Sequence, residues 1–544
     1  MSDLPMVFWV PLFLFLGFLP AIFAQEPAYA TVVVRGATKV AETDDNFICA
    51  TIDWWPPDKC NYNHCPWGES TALHLDLSHP FLAKAIRAFN RLRIRIGGSL
   101  QDQVVYDVGA LKYPCHPFRK MADGLFGFSK GCLHMNRWDE LNDLFRKTGA
   151  IVTFGLNALY GRHKIRKGVW GGAWNTTNAR DFIKYTISKG HQIDSWEFGN
   201  ELSGSGIGAS IGATLYGEDL INLKAIINDL YKNSHPKPLI LAPGGFFDQQ
   251  WYARLLDVSG ANTVNVMTHH IYNLGAGDDP HLVSKILDPH HLSQIAGTFI
   301  NLQQTIQRHG PWASAWVGES GGAYNNGGRH VSNRFVNSFW YLDQLGMASK
   351  YKTKVYCRQT LIGGNYGLLN TTTFVPNPDY YRQDALLWHR LMGKGVLAVD
   401  SDASPFLRVY AHCSKGKAGI TLLLINLSNH TDFRITVQNN MNLNVNVGEQ
   451  RGSSFLHGLK KTVSWVGRKA SDETAVREEY HLTPLDGILR SQTMVLNGTP
   501  LELTENGDIP TLDPVLVDMK SPVLIAPLSM AFIAFRNFEA PACV

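Results

Sequence analysis

Short apolar, β-branched runs alternate with longer amphipathic segments from residue 47 to about residue 390. The predicted strands are Phe47–Ile52, Arg91–Ile96, Ile151–Leu156, Ile193–Phe198, Leu239–Ala242, Val264–Thr268, Ala315–Val317 and Lys354–Leu361. The predicted helices are His79–Phe89, Arg137–Lys147, Asn178–Lys189, Leu215–Tyr231, Gln249–Val258, His281–Arg308, Asn333–Met347 and Tyr380–Met392. Eight strands, each followed by a helix, predict an α/β fold with a closed (β/α)8 TIM barrel; an open doubly wound sheet is the alternative.

The pattern changes after about Gly395, where helical periodicity nearly disappears. Short strand-like runs separated by turn residues follow: Leu407–His412, Thr421–Leu427, Phe433–Val437, Leu443–Val447, Thr493–Leu496 and Met530–Arg536. This spacing predicts a C-terminal all-β sandwich domain, which the early run Thr31–Arg35 is expected to join. The predicted division is a leader over 1–24, an N-terminal strand segment over 25–45, a barrel over 46–393 and a sandwich over 394–544.

Length and composition agree with a large two-domain globular protein. The chain has 544 residues, more than the roughly 250–300 at which a single hydrophobic core stops growing. A hydrophobic content of 45% and a charged content of 18% exclude a disordered chain or a charged coiled coil. The net charge of +4 is too small for a nucleic-acid-binding protein of this size. Fourteen Trp, 19 Tyr and 49 Gly favour an aromatic-lined cleft built on tight turns.

The first residues resemble a secretion signal. The apolar run Met6–Leu19 is short for a membrane span but suits a signal-peptide core, and Ala24 offers a cleavage point before Gln25. The leading segment carries Asp3 and no Lys or Arg, so an uncleaved anchor is the alternative. Sequons for N-glycosylation occur at Asn175, Asn370, Asn426, Asn429 and Asn497. We therefore expect a monomeric secreted glycoprotein, extracellular or in a cell wall, with a lysosomal or vacuolar compartment or a peripheral membrane site as alternatives.

The chain contains eight cysteines, some of which should pair in an oxidising compartment. Cys60 and Cys65 have no matching second pair elsewhere, which argues against a zinc site. Cys49 and Cys357 lie within apolar predicted strands, and we expect them to be buried free thiols.

Polar residues that follow the barrel strands mark the expected site, because reactive groups of TIM barrels lie where strands end and βα loops begin. In chain order these residues are Asp53, Ser99, Asn157, Asn200, Glu201, Gly244, His269, His270, Glu319 and Gln359. Two glutamates stand out, Glu201 after the fourth strand and Glu319 after the seventh. Both follow an apolar strand and a glycine, and both should face the barrel axis at the same rim.

Two facing carboxyl groups are what glycoside hydrolysis needs, one to protonate the leaving oxygen and one to attack the anomeric carbon. A single glutamate at a strand end is more often a helix-capping or salt-bridge residue. Glu197 illustrates that case: it lies within the strand and is expected to pair inside the barrel. The joint occurrence of Glu201 and Glu319 on strands four and seven favours a catalytic pair.

The sequence resembles the heparanase-like β-glucuronidases of glycoside hydrolase family 79, and within them the plant branch, from about Ala30 to the C-terminus. The motifs that carry the resemblance are Ala50-Thr-Ile-Asp-Trp-Trp55, Arg95-Ile-Gly-Gly-Ser99, Trp196-Glu-Phe-Gly-Asn-Glu201, Thr268-His-His-Ile-Tyr272, Gly318-Glu-Ser-Gly-Gly322 and Gly363-Gly-Asn-Tyr366. The resemblance implies a (β/α)8 barrel with a β-sandwich and a retaining mechanism. In that mechanism Glu201 is the general acid/base and Glu319 the nucleophile.

The resemblance also implies the sugar-binding residues. Asn200 would hold the 2-hydroxyl, and the other positions implied are Asp53, Ser99, His269, His270, Tyr272, Gly327, Gly328 and Tyr366. Gly327 and Gly328 belong to a glycine-rich loop whose backbone amides would bind the C6 carboxylate of a uronic acid together with Tyr366. If that loop is merely a turn, no preference for uronic acids over neutral sugars is expected. No cofactor or metal is implied, and the His269-His270 pair has no evident third ligand.

One departure from animal heparanases points to action on chain ends. Those proteins carry a long excised linker, whereas the stretch near Val105–Met135 is compact here and contains Cys115 and Cys132, so we expect an uncut chain and a local disulfide. Cys413 and Cys543 match a cysteine pair of the family. The sequence therefore favours exo-removal of terminal β-linked glucuronic acid from arabinogalactan-type glycans or small-molecule glucuronides. Endo-cleavage of acidic polysaccharide, hydrolysis of neutral β-glycosides and non-catalytic carbohydrate binding are the alternatives.

Two further motifs have competing interpretations. Trp54 and Trp55 follow Asp53 and could form a stacking platform for a sugar or pack in the core of the first βα loop. The basic run from Gly161 to Lys167 follows the third strand, where it could attract an acidic polysaccharide or simply form a solvated charged surface.

Overall fold

A computed structural model describes residues 26–380, 385–440 and 475–544. These residues form a closed parallel barrel and a large, mostly antiparallel β-sheet, as the sequence predicts. The leader over 1–24 and the predicted strand Leu443–Val447 lie outside the described residues. Among the described helices, none is both long and apolar enough to cross a bilayer.

Eight parallel strands close the barrel, and each is hydrogen-bonded to the next strand in the sequence. In order, barrel strands one to eight are Ile48–Ile52, Arg93–Ile96, Ile151–Leu156, Ser195–Phe198, Leu239–Gly245, Val266–Ile271, Ser314–Ser320 and Thr353–Arg358. The eighth pairs with the first, with Cys357 opposite Cys49, so the sheet is closed and the doubly wound alternative is excluded. Every predicted barrel strand is confirmed.

Helices surround the barrel and shield its apolar strands from water. They are Pro80–Arg87, Met135–Thr148, Thr177–Ser188, Ala213–Leu230, Gln249–Ser259, Leu282–Ile286, Pro289–Ser293, Ala296–His309, Phe335–Lys350 and Ala385–Leu391. The single helix predicted over His281–Arg308 is wrong, because Pro289 lacks the amide proton that a continuous helix needs and begins a new helix instead. Asp288 caps that helix, since its Oδ1 accepts the amide of His290 at 2.8 Å.

The second part of the fold is one hydrogen-bonded sheet of eleven described strands. They are Ala28–Glu42, Met392–Ser401, Leu407–Ser414, Ile420–Asn426, Phe433–Asn439, Val476–Pro484, Met494–Leu496, Thr499–Pro500, Val515–Asp518, Val523–Ile525 and Ser529–Phe535. Ile525 and Ile533 belong to strands six apart in the sheet order yet share one buried cluster, so the sheet curls around its own core. The all-β C-terminal prediction is confirmed.

The N-terminal strand lies inside this sheet, with a hydrogen-bonded neighbour on each side. Ala28–Glu42 pairs antiparallel with Met392–Ser401 and parallel with Phe433–Asn439, which confirms that the run Thr31–Arg35 joins the C-terminal strands. The strand Met392–Ser401 begins where the sequence pattern predicted a helix end, and the expected boundary between residues 393 and 394 falls inside it.

The helix Phe335–Lys350 is buried between the barrel and the sheet. Its Asp343 accepts hydrogen bonds from Arg408 Nε at 2.7 Å and from the Tyr410 hydroxyl at 2.6 Å, both on the sheet strand Leu407–Ser414. A fully buried carboxylate is stabilised only when it is paired in this way, so the contact fixes the sheet against the barrel.

All eight cysteines lie in the described part of the chain and form disulfides: Cys49–Cys357, Cys60–Cys65, Cys115–Cys132 and Cys413–Cys543. The local pair and the C-terminal pair are as expected. The prediction of free thiols at Cys49 and Cys357 is wrong. Their apolar neighbours belong to the first and eighth barrel strands, which meet where the barrel closes and bring the two Cα atoms to 4.1 Å.

Two sequence features are clarified by burial. Asn426 is fully buried and its amide nitrogen donates to the carbonyls of Thr431 and Ala526, so this sequon has no room for a glycan. In the basic run, the residues of the hairpin strand His163–Arg166 are exposed. Arg162 is instead buried in an ion pair with Asp219 and has a structural role.

Three short two-stranded sheets lie in the described loops around the barrel. They are Val104–Asp107 with Gly131–His134, His163–Arg166 with Val169–Gly171, and Gly275–Ala276 with Ala323–Tyr324. The last pair joins the loop after the sixth barrel strand to the loop after the seventh, which fixes both loops at the rim where strands six and seven end.

Candidate active site

A cleft of about 430 Å³ opens at the carboxyl ends of the barrel strands. It is lined by Asp53, Trp55, Lys59, Asn61, Ser99, Phe126, Glu201, Ile207, Phe246, Tyr272, Glu319, Tyr324, Asn325, Asn326, Gln359 and Tyr366. The volume lies within the range of about 300–1,000 Å³ that is usual for small-ligand sites. The strand ends thus meet at one cavity, as the barrel topology predicts.

Glu319 lies at the end of the seventh strand and is almost completely buried. Its Oε2 accepts a hydrogen bond from Arg95 Nη1 at 2.9 Å, and its Oε1 accepts one from the Tyr272 hydroxyl at 2.6 Å. Burial alone raises the pKa of this carboxyl, but the charges of His270 and Arg95 and these hydrogen bonds outweigh burial and hold the pKa below its usual range. Glu319 is therefore a carboxylate at neutral pH.

Glu201 follows the fourth strand in a left-handed backbone conformation with a φ of 54°. Such a φ is costly for a residue other than glycine and persists only where the surroundings impose it. Here the Glu201 amide donates to the Gly244 carbonyl at 2.7 Å, and its Oε1 lies 3.0 Å from His270 Nδ1. One carboxyl oxygen of Glu201 lies within 4.8 Å of one of Glu319, so the two groups face each other across the cleft.

Arg95, on the second strand, is the central cation beneath the glutamates and is 1% exposed. Besides Glu319, its guanidinium donates to Glu197 Oε2 at 2.5 Å and to Asn200 Oδ1 at 2.9 Å. The prediction that Glu197 pairs inside the barrel is confirmed. Because the Arg95 nitrogens are occupied by these partners, the residue orients the site rather than offering a free charge to a ligand.

Asp102 supports the site from the loop after the second strand, a position that the sequence analysis missed. Its Oδ2 accepts the backbone amide of Asn200 at 2.8 Å and its Oδ1 accepts that of Ala158 at 2.7 Å. Burial raises the pKa of Asp102 to about 7. The residue fixes the turn that carries Asn200 and Glu201. Its position follows a loop and not a strand end, so no pattern marked it.

Asp53 follows the first strand and lines the cleft, as predicted. Its Oδ2 accepts a hydrogen bond from Gln359 Nε2 at 2.8 Å, and its Oδ1 accepts the amide of Trp54 at 2.6 Å. Burial and the neighbouring charge of Glu319 raise the pKa of Asp53 to about 7. Gly98, with a φ of 130°, is needed beside it, because a Cβ at that position would lie 2.4 Å from Asp53 Oδ2.

Ser99, Tyr272 and Tyr366 also line the cleft, in agreement with the sequence. Asn200 does not line it and contacts the site through Arg95. Two other strand-end residues make structural hydrogen bonds. Asn157 donates its backbone amide to the Tyr106 hydroxyl and its side-chain amide to the Val104 carbonyl, and the Gly244 carbonyl accepts the Glu201 amide.

The two adjacent histidines point in opposite directions. His270 contacts Glu201, whereas His269 packs edge-on against Phe299 of an outer helix at a ring distance of 5.7 Å and does not reach the cleft. Burial lowers the pKa of His269 to about 3, so its ring is neutral. The expectation that His269 contacts the sugar is not met, because successive residues of a strand face opposite sides of the sheet.

The opposite directions of the two histidines also bear on whether they could ligate a metal ion together. The pair cannot ligate one ion, but His270, Glu201 and Glu319 bring three potential ligand atoms within 4.8 Å of one another, a set that the sequence analysis overlooked. Arg95 and Tyr272 already donate to both oxygens of Glu319. A guanidinium bound to the carboxylate opposes a second cation there, so the donor set fits an acid pair better than a metal site.

The glycine-rich loop borders the cleft, and binding of a carboxylate by its amides stays a prediction. The Gly328 amide donates to Ser332 Oγ at 2.9 Å and so already has a partner. Gly327 lies behind Tyr366, where a Cβ would come within 2.6 Å of Tyr366 Cδ1, and its absence lets the tyrosine ring reach the cleft. The loop contributes Tyr324, Asn325 and Asn326 to the cleft wall instead.

The two tryptophans after Asp53 have different surroundings. Trp54 is 1% exposed and packs edge-on against Phe154 in the barrel core, at 6.1 Å between ring centroids. Trp55 lines the cleft and packs against Phe126 at 5.8 Å. Core packing therefore describes Trp54, whereas Trp55 lies in the cleft wall, where its role as a stacking platform stays a prediction.

Several cleft residues were not predicted: Lys59, Asn61, Phe126, Ile207, Phe246, Tyr324, Asn325 and Asn326. Phe246 directly follows the fifth strand, Tyr324, Asn325 and Asn326 belong to the glycine-rich loop, and the others come from loops between barrel elements. Their sequence shows no periodicity that would mark them, and only the fold brings these loops to one cavity.

Comparisons with known proteins agree with this geometry. Residues 29–346 match the family model "Glycosyl hydrolase family 79, N-terminal domain". The chain is 65% identical over 521 residues to heparanase-like protein 1 of Arabidopsis thaliana, covering 96% of each chain. It is 38% identical over 546 residues to baicalin-beta-D-glucuronidase of Scutellaria baicalensis, again covering 96% of each chain.

Solved structures are similar to this chain in fold. A 4-O-alpha-L-rhamnosyl-beta-D-glucuronidase from Fusarium oxysporum superimposes with a TM-score of 0.61 at 14% identity, covering 93% of this chain and 100% of that one. At this identity the match supports the barrel and sheet architecture.

Proposed function

Since the chain belongs to glycosyl hydrolase family 79, we propose that it is a retaining β-glucuronidase with Glu319 as nucleophile and Glu201 as general acid/base. The observation that carries the proposal is the approach of their carboxyl oxygens within 4.8 Å, each in a different hydrogen-bonding environment. Retaining glycosidases hold their two carboxyl groups about 5–5.5 Å apart, whereas inverting enzymes leave about 6.5–9.5 Å for a water molecule.

The first half of the proposed reaction forms a covalent sugar. Glu319 attacks the anomeric carbon while Glu201 gives its proton to the glycosidic oxygen, so the bond to the aglycone breaks and the aglycone leaves as an alcohol. Arg95 and Tyr272 hold Glu319 ionised and oriented before attack. Once Glu319 is esterified its negative charge is gone.

The second half returns the enzyme to its starting state. Glu201, now a carboxylate, removes a proton from water, and the resulting oxygen attacks the anomeric carbon as the bond to Glu319 breaks. The net reaction consumes one water molecule and releases the sugar with retained β-configuration. His270, at hydrogen-bond distance from Glu201, orients this carboxyl in both halves.

Action at chain ends is supported by the loop that Cys60 and Cys65 close. Within it, the hydroxyl of Tyr62 accepts a hydrogen bond from Asn325 Nδ2 at 3.0 Å, and His64 Nε2 lies 3.3 Å from Asn365 Oδ1. These contacts join the loop after the first strand to the loops after the seventh and eighth. The joined loops border the cleft through Asn61 and Asn325, which supports removal of terminal glucuronic acid from arabinogalactan-type glycans or small-molecule glucuronides over internal cleavage.

A secreted location is supported by the disulfides. All eight cysteines are paired, and disulfides form and persist in oxidising compartments. Asn175 and Asn429 have exposed side chains, so these two sequons are the best placed to carry glycans.

The substrate proposal is tested with a panel of p-nitrophenyl β-glycosides of glucuronic acid, glucose, galactose and xylose. We expect the purified protein to cleave the glucuronide with a kcat/KM at least tenfold above each neutral glycoside. A 2-deoxy-2-fluoro-glucuronide should label the enzyme, with the added mass on the peptide that contains Glu319. Preferential hydrolysis of the glucoside would instead establish the second candidate, a neutral β-glycosidase, which the occupied amide of Gly328 favours.

The pH dependence should report Asp53. With a pKa of about 7, Asp53 is neutral near pH 6 and becomes an additional negative charge beside Glu319 above pH 7. For an anionic substrate we expect kcat/KM to be level near pH 6 and to fall above pH 7 towards a lower plateau, because ionised Asp53 repels the substrate without removing a catalytic group. Asp53→Asn, which stays neutral, should flatten this limb in the pH–rate profile. A limb of unchanged position in that variant contradicts the assignment.

A further inference from the structure

The cleft carries an unbalanced charge. Of its acidic lining residues, Glu319 is held as a carboxylate and Asp53 adds a second negative charge as it ionises near pH 7, whereas Lys59 is the only described lining residue with a positively charged side chain. Arg95 lies below the floor with its donors committed to Glu197, Glu319 and Asn200. A substrate that brings a carboxylate into this space is repelled unless a cation offsets its charge.

Lys59 is held ready for such a contact. Its Nζ lies 4.1 Å from the ring centroid of Trp55, and among the described residues no carboxylate forms an ion pair with it. The side chain is half-buried. Burial lowers the pKa of this amine, while the charge of Asp53 opposes that shift. A partly desolvated ammonium whose partner is an aromatic face has hydrogen-bond donors left for an anion.

The surroundings fix the position of this amine. Trp55 packs edge-on against Phe126 and Phe128, at 5.8 Å and 6.0 Å between ring centroids. Immediately after Lys59, the Cys60–Cys65 disulfide closes the loop that Tyr62 joins to Asn325. Aromatic packing on one side and the disulfide-closed loop on the other therefore hold the backbone of Lys59 in place. Its charge is thus positioned at the cleft before a substrate binds.

We propose that Lys59 is a specificity-determining residue that binds a carboxylate of the substrate. The inference rests on the proposed β-glucuronidase function and names the group that compensates the substrate charge. Because the Gly328 amide is already bound to Ser332, Lys59 is the charged side chain of the described lining that can balance a substrate carboxylate. The carboxylate belongs either to the cleaved sugar or to the aglycone, and two substrate pairs separate these sources.

The experiment compares Lys59→Met with the unaltered full-length protein on matched charged and neutral substrates. The first pair is p-nitrophenyl β-D-glucuronide and its methyl ester. The second pair is the β-glucuronide of 4-hydroxybenzoic acid and that of 4-hydroxybenzamide. We expect the variant to lower kcat/KM by about 10- to 100-fold on the charged member of one pair. On its neutral member the change should stay within twofold, and the pair that discriminates identifies the source.

Lys120→Met is the matched control. Lys120 belongs to the same surface, with its Nζ 3.7 Å from Asp58 Oδ2, but it is exposed and does not line the cleft. It should alter both members of each pair by less than twofold. Lys59→Arg, which keeps the charge, should retain most of the discrimination.

The outcomes separate the two proposals. Equal losses on charged and neutral substrates in Lys59→Met overturn the role of Lys59 and leave the β-glucuronidase proposal standing, because the unaltered protein still cleaves glucuronides. If the unaltered protein cleaves neutral glycosides and no glucuronide, the proposed function is overturned and the role of Lys59 with it. Unchanged melting temperatures of the variants ensure that the comparison concerns binding and not folding.

Discussion

Replacing Glu319 with alanine is expected to lower kcat on p-nitrophenyl β-D-glucuronide by about 10⁵-fold. The reason is that the first step then lacks its nucleophile, while Arg95 and Tyr272 lose the carboxylate that both now bind. Initial rates measured at saturating substrate, after removal of trace wild-type enzyme, give the loss. Because the change leaves the buried guanidinium without one of its partners, Glu319→Gln serves as a second variant that fills the same space.

Sodium azide distinguishes a lost nucleophile from a damaged fold. In Glu319→Ala the small anion can occupy the vacated space and attack from the α face, so activity should recover with α-glucuronyl azide as product. Recovery is judged by nuclear magnetic resonance of the product. Formation of the β-azide instead would assign the nucleophile to another residue.

Replacing Glu201 with alanine should give a loss that depends on the leaving group. General acid assistance contributes about 10²–10⁴-fold, and it matters most when the departing oxygen is a strong base. We therefore expect about a 10³-fold or greater loss in kcat/KM on an alkyl or phenyl glucuronide and a much smaller loss on 2,4-dinitrophenyl glucuronide. The measurement is a plot of log kcat/KM against the pKa of the leaving phenol.

A steep slope in Glu201→Ala and a shallow slope in the unaltered protein identify the acid. Azide should here yield the β-azide, because it intercepts the covalent sugar on Glu319 from the opposite face. His270→Ala is a useful comparison, since it removes the hydrogen-bond partner of Glu201 and leaves the carboxyl in place. Parallel slopes in Glu201→Ala and the unaltered protein would falsify the role of Glu201.

The barrel could be predicted from the sequence because its strands and helices have distinct periodicities and follow one another regularly. Ile151–Leu156 is predicted to the residue, since a short apolar run ends there at a polar turn. Val476–Pro484 was missed because two of its buried positions are the ion-paired Arg477 and Glu479, which hide the apolar alternation, and it lies in a region with few apolar runs. Pairing was harder still: a cysteine in an apolar strand shows no local sign of its partner, and Cys49 and Cys357 meet only when the barrel closes.

The acid pair could be predicted because strand ends of a barrel converge by topology, whatever the loops do. Glu201 and Glu319 needed only their strands to be assigned. His269 was assigned to the sugar site by the family resemblance, but strand alternation turns it outward to Phe299. Lys59 was missed because its loop position has no periodic signature, and the disulfide and the contacts of Tyr62 that hold it depend on residues far along the chain.

The interior position of Ala28–Glu42 in the β-sheet affects how this protein folds during synthesis. This strand leaves the ribosome early during translation. The backbone amide of Thr31 donates to the side chain of Asp402, which is synthesised 371 positions later. The backbone groups of the strand stay unpaired while the whole barrel is synthesised. A strand with unpaired backbone groups is prone to aggregation. A shortened protein that ends with the barrel would keep that orphan strand, so truncation would have to remove both ends of the chain together.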